Sequence, residues 1–306
     1  MTIVRQRNIA GVRYSPNEFG PAHQQSATEL LAALALPRRG TVYDLDAGRW
    51  PGMPVLPVHP PFLLTTWRTP RRADIDGDVP SAMTGGAIRT GVTTELITAS
   101  QHTGTHIDAL CHITENERWF GGGKEELHIG DFGAQFGEAS SLPLLLTRGV
   151  LLDIAAVHNV AALPAGHEIT VDELEAAMTR KDTDIQRGDT VLIRTGYMTV
   201  WDGPDTARVG HYGAGIGVAA ARYLIDHGVA AIGSDTEDFE VIPSPHADHG
   251  AFPVHRMLLG GHGIHIIELL YLEQLADAID ARFLFICLPL RIRGATGSMV
   301  RPVAIV

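Results

Sequence analysis

The second half of the chain carries the clearest hydrophobic pattern. GVLLDI (149–154) and TVLIR (190–194) are unbroken apolar runs of strand length, the second entered through a Gly188-Asp189 turn. Between them Thr170 and Glu173 stand at capping-box spacing and predict a helix over 170–179. Val218, Ala221, Leu224 and Ile225 share one face of a helix predicted over 217–227, which Gly228 closes. Residues 230–233 form a further short apolar run that ends in Ser234-Asp235-Thr236. Short buried strands alternating with helices indicate an α/β architecture.

The first half is less regular. Ser26 and Glu29 predict a capped helix over 26–36 that Pro37 stops. TVYDLD (41–46) begins as a strand, but five prolines within 51–61 exclude regular structure after it. Residues 70–90, charged and glycine-containing, predict a surface loop, and 92–98, rich in β-branched residues, a strand. Residues 1–25 are polar and irregular, an arm over the body or over a partner subunit. No internal repeat and no long linker divides the chain. The expectation is therefore an arm with a short helix over 1–40 and a single domain over 41–306.

The expected strand 92–98 leads into QHTGTHIDALCH (101–112), the densest run of chemistry in the chain. His102, His106, Asp108 and His112 are all separated by even numbers of residues, which suits a strand rather than a helix. A straight strand rises about 3.3 Å per residue, too much for His102 and Asp108 to share one ion. The chain must curl between them, and Gly104 permits it. Neutral imidazoles with a carboxylate suit Zn²⁺ or a neighbouring first-row ion. Cys111, at an odd offset, points to the other face and is read as packing.

Composition narrows the function. The 306 residues carry a net charge of -11, from 24 basic and 35 acidic side chains, which argues against nucleic acid or an anionic membrane as partner. Two cysteines provide no disulfide framework. Neither a signal-peptide pattern nor a run of 18 apolar residues occurs, so a cytoplasmic protein is expected.

A second chemical region spans 235–268, with Asp235, Glu237, Asp238, Glu240, His246, Asp248, His249, His255, His262, His265 and Glu268. A charge-rich loop predicts solvation for most of these. His255, opening the apolar turn HRMLL, and Glu268, inside GIHIIELL, are different. A carboxylate in an apolar run needs a partner, either a metal ion or an arginine. Among aromatic residues, Trp50, Phe62 and Trp67 on the proline-rich stretch are candidates to wall a pocket for a flat substrate, or to plug the core. Trp119 and Phe120, beside glycines 121–123, are candidates for a lid or rim, or belong to a plain connector. That loop lacks the Gly-Lys-Ser/Thr ending of a phosphate-binding loop.

QHTGTHIDALCH resembles the His-x-Gly-Thr-His-x-Asp-x3-His signature of the metal-dependent cyclase family, which includes kynurenine formamidases and isatin hydrolases. YDLDAGRWPGMP, GVLLDIA, GDTVLIRTGY, GVAAIGSDT and HRMLLGGHGIHIIELLYLEQL are similar to further family segments, covering about 41–306. The resemblance implies a single α/β domain of swivelling β/β/α type, a central mixed or barrel-like sheet flanked by helices. It implies that His102, His106, Asp108, His255 and Glu268 ligate one or two ions of Zn²⁺ or Mn²⁺, and that His112 is the catalytic acid and base. It also implies a homodimer or homotetramer acting on a small molecule. Leu110 replaces a proline of many kynurenine formamidases, and Leu56-Pro57-Val58-His59 replaces their Trp-Pro-Gly-Asp, which leaves the substrate open. The expected activity is metal-dependent hydrolysis of a carbon–nitrogen bond in an aryl formamide or cyclic amide. Lactone opening or cyclisation is the alternative within the family, and a non-catalytic metal-binding protein the alternative outside it.

Overall fold

The apolar runs of the second half become the centre of a nine-stranded mixed sheet in a computed structural model that describes residues 19–77, 91–201, 213–245, 249–278 and 282–306. In chain order its strands are β1 (Val42–Asp44), β2 (His106–Asp108), β3 (Leu145–Asp153), β4 (Thr190–Arg194), β5 (Ala231–Ser234), β6 (His265–Glu268), β7 (Arg282–Cys287), β8 (Gly297–Met299) and β9 (Val303–Ile305). Across the sheet they run β1-β9-β7-β3-β4-β5-β6-β2-β8. Strands β3 to β6 are parallel neighbours, and those outside them pair antiparallel. The sheet curls into a half-barrel flanked by helices, a single mixed α/β domain as expected.

The parallel strands are apolar along their length because both faces are covered. Val191, Leu192, Ile193, Leu151, Leu152, Ile232, Ile266 and Ile267 are all buried. The cover includes α1 (Ala27–Leu34), α2 (Ile154–Val157), α3 (Val171–Arg180) and α4 (Val218–Asp226). Both expected capping boxes form, Ser26 with Glu29 on α1 and Thr170 with Glu173 on α3. A helical segment begins at Pro253–His255 and widens into a π-helix over Arg256–His262. No helix among the described residues is long and apolar enough to cross a membrane.

Two expectations change. Thr94–Thr98 is a strand, but it pairs with Leu63–Arg68 in a separate two-stranded ribbon. Its residues are exposed, so the main sheet receives the ligand stretch only after the turn at 101–104. Pro70–Asp76, expected as loop, is a helix, because Thr69 caps it and Pro70 at its first position has no N–H to lose. The greater part of the expected arm and of the 70–90 loop, with His246 and Asp248, lies outside the described residues.

Candidate metal centre

The first half of the site is made by a tight bend. Gly104 has φ +61, and a Cβ there would stand 3.0 Å from Gly48 O, so both conformation and space call for glycine. Arg49 holds the bend from outside, donating to Thr103 O at 2.9 Å, to Thr105 O and to Val300 O at 3.2 Å. From inside, Thr105 Oγ1 accepts from Ala47 N at 2.8 Å and donates to Leu269 O at 2.6 Å. With the backbone pinned, His102 Nδ1 reaches 2.9 Å from Asp108 Oδ1, and His106 Nε2 reaches 3.6 Å from the same oxygen. Gly297 on β8 leaves room for the His102 ring, since a Cβ would come within 2.7 Å of it.

The second half comes from the register of β6 on β2, which sets Glu268 directly opposite His106. Glu268 Oε2 lies 3.0 Å from His106 Nε2, and Oε1 lies 3.2 Å from His255 Nε2. His255 sits where the helix widens into its π-helical turn. Glu240 fixes it there, accepting from Val254 N and His255 N at 3.0 Å and pairing with His255 Nδ1 at 2.6 Å. Gly104 O accepts from His106 Nδ1 at 2.8 Å in the same manner. Each ring thus uses Nδ1 for support and turns Nε2 into the site, the orientation that supporting groups give to metal-binding imidazoles.

His102, His106, Asp108, His255 and Glu268 are all buried. Desolvation opposes charge on His106, Asp108, His255 and Glu268, yet their contacts prevail. Asp108, facing the three imidazoles of His112, His102 and His106, lies far below the usual carboxylate range. Glu268 is lowered by His106 and His255. The Glu240 and Glu268 carboxylates push His255 up to about 10 against its burial.

The donors fit a divalent ion. They form two triads that share Asp108, His102–His106–Asp108 and Asp108–His255–Glu268, with ligand atoms within 4.8 Å of one another in each. His102 Nδ1 and both Asp108 oxygens are buried without a hydrogen-bond partner, although His102 Nδ1 and Oδ1 are close. Unpartnered buried groups of this kind are costly unless something charged faces them. Imidazole nitrogens and carboxylate oxygens in this proportion suit Zn²⁺ and its first-row neighbours.

The stretch also carries His112 to the site, where its ring stacks on His102 with centroids 3.9 Å apart. Burial pushes the His112 imidazole down to about 4, which keeps it neutral. His59 also stacks on His102, with ring centroids 5.2 Å apart. Glu237 is pushed up to about 8 by burial and by Asp238 and Glu268, and its Oε2 has no hydrogen-bond partner.

The aromatic candidates scatter. Trp50 and Phe62 belong to a small apolar cluster with Met53, Tyr197, Trp201 and Leu269. Trp67 is 63% exposed on the ribbon. Trp119 is in the main core, where its Nε1 donates to Phe136 O at 3.1 Å, and Phe120 packs against Gly263. Cys111 is packed and buried, which pushes its thiol up to about 12. The expectation of solvation over 235–268 fails for Asp235, Glu237, Asp238, Glu240 and His265, all buried. Asp235 accepts from Thr195 N, Thr195 Oγ1 and Gly196 N, which ties that turn to the end of β4.

Comparison with known proteins gives concordant results. A family model described as "Putative cyclase" matches residues 43–241. Cyclase-like protein 3 of Oryza sativa subsp. japonica is 28% identical over 209 residues, 67% of this chain and 62% of that protein, so the chain spans less than two thirds of this relative. Among solved structures, one described as a novel cyclase superposes with TM-score 0.81 at 27% identity, covering 94% of both chains. A potential metal-dependent hydrolase with cyclase activity matches with TM-score 0.54 at 25% identity, over 86% of this chain and 98% of that one. Isatin hydrolase A from Labrenzia aggregata shares the fold, with TM-score 0.60 at 22% identity over 92% and 99% of the two chains.

Proposed function

Since this chain belongs to the cyclase family, we propose that it is a metal-dependent hydrolase that opens a carbon–nitrogen bond in a small aryl formamide or cyclic amide. The observation that carries the reading is the pair of buried triads sharing Asp108, with the unpartnered atoms of His102 and Asp108 turned into them. A divalent cation bound there, Zn²⁺ or Mn²⁺, supplies Lewis acidity to a carbonyl oxygen and to water.

The chain's own residues do the rest. Gly104 and Glu240 turn the His106 and His255 Nε2 atoms inward before any substrate arrives. His112, neutral and stacked on His102, takes the proton of a water whose oxygen attacks the carbonyl carbon. As the carbon–nitrogen bond breaks, His112 returns that proton to the leaving nitrogen. The products are the carboxylic acid and the amine, on one molecule if the amide was cyclic.

The test combines chelation with metal analysis. Protein stripped to under about a tenth of an equivalent is expected to lose hydrolysis of aryl formamides and cyclic imides and to regain it with Zn²⁺ or Mn²⁺. Full activity in the stripped protein would sink the reading, and turnover of lactones alone would replace the amide with an ester bond.

We further propose that the working form is a homo-oligomer. Its support is the ribbon, which leaves Leu63, Leu64, Trp67, Leu96 and Ile97 exposed although two strands alone are marginal in water. Light scattering is expected to give a multiple of the chain mass of 32.9 kDa, and a monomer at working concentration would refute it.

A further inference from the structure

A second group of metal-type side chains lies away from the site just described. His158 follows α2 as its C-cap, His167 stands in the turn before the short strand Glu168–Ile169, and Glu173 is in the first turn of α3. His158 Nε2 lies 2.5 Å from Glu173 Oε1, and His167 Nε2 lies 2.7 Å from the same oxygen. The two rings meet edge to face, with centroids 5.2 Å apart. The three ligand atoms fall within 4.8 Å of one another, as do those of each buried triad.

The carboxylate is held in place by the helix cap. Glu173 Oε2 accepts from Thr170 N at 2.7 Å and from Thr170 Oγ1 at 2.8 Å. The capping box therefore occupies one oxygen and presents the other to the imidazoles. The His158 side chain is 40% exposed, His167 23% and Glu173 13%, so water reaches one side of the cluster. Two imidazoles, one carboxylate and an open position for water form a ligand set that binds zinc. An all-oxygen ion such as Mg²⁺ or Ca²⁺ is a poor match for two nitrogens.

We propose that His158, His167 and Glu173 form a second, exchangeable site for a borderline first-row divalent ion of the Zn²⁺ class. The ion would clip the end of α2 to the start of α3 across residues 158–173. Binding there stabilises the folded chain by mass action and takes no part in turnover. The site shares no residue with the buried triads, so it stands or falls independently of the proposed hydrolase activity.

The experiment uses untagged protein with its catalytic metal in place, dialysed to equilibrium against Zn²⁺. Wild type is expected to take up about one more equivalent than the double variant His158→Ala/His167→Ala, with hydrolysis unchanged between them. His167→Ala alone should weaken the additional site by on the order of tenfold or more. In unaltered protein, Zn²⁺ but not Mg²⁺ should slow carbethoxylation of His158 and His167, read by peptide mass spectrometry. Equal Zn²⁺ uptake by wild type and double variant, or imidazoles modified at the same rate with and without Zn²⁺, would overturn the proposal and leave the cluster as a hydrogen-bonded cap.

Discussion

The buried centre on β2 and β6 and the exposed cluster beside α3 use the same side-chain types, yet their surroundings assign them different chemistry. In the buried centre each supporting contact lies on the far side of the ring: Gly104 O behind His106 and Glu240 behind His255. The inward atoms of His102 and Asp108 are left without hydrogen-bond partners in a buried setting. In the exposed cluster the imidazoles satisfy themselves on Glu173. A cluster that is complete without an ion binds one weakly, whereas a cluster left incomplete by its own fold depends on one. Ligand identity alone does not separate these cases; the second layer of contacts does.

The largest expected effect is at the shared ligand. Asp108→Asn breaks both buried triads and should lower hydrolysis by about 10⁴-fold or more, with loss of catalytic metal on elemental analysis and no change at the exposed cluster. If Asp108→Asn kept its metal, the shared-ligand geometry would be wrong. His112→Ala should reduce turnover by about 10²- to 10⁴-fold while metal content stays at the wild-type level. Loss of metal instead would turn His112 from proton carrier into ligand. Glu240→Gln tests the supporting layer: the neutral amide is a weaker partner for His255 Nδ1, and metal affinity should fall about 10- to 100-fold by competition with a chromophoric chelator. An unchanged affinity would mean that backbone geometry alone orients His255. The smallest effect belongs to the exposed side, where Thr170→Ala should cost about 1 kcal/mol of stability in urea unfolding through loss of the cap, with kcat unaltered.

Much of the scaffold was legible because its signals are local. GVLLDI and TVLIR are long enough to be buried on both faces, and each capping box announces itself within four residues. Gly104 was legible for a geometric reason, since ligands too far apart on a straight strand require a bend, and the structure bends there with φ +61. Glu240 was not legible. Its neighbours Asp235, Glu237 and Asp238 make the segment read as a solvated acidic loop, and only tertiary structure folds that loop under His255. The exposed ribbon was missed for the opposite reason. Residues 92–98 carry the composition of a core strand, but composition does not reveal which sheet a strand joins. His158, His167 and Glu173, spread over three elements, gave no motif that sequence spacing could single out.

Arg49 has a consequence for how the molecule comes into being. One guanidinium ties the proline-rich loop to Thr103 and Thr105 and, 251 positions away, to Val300. The bend at Gly104 is therefore closed by a contact of very long sequence separation, of the sort that forms late in folding. Capacity to capture the catalytic ion should appear only when the slowest phase of refolding is complete, later than the parallel strands. An ion-sensitive dye present during refolding would then time the last event of assembly, and Arg49→Ala would slow that signal more than it slows the recovery of secondary structure.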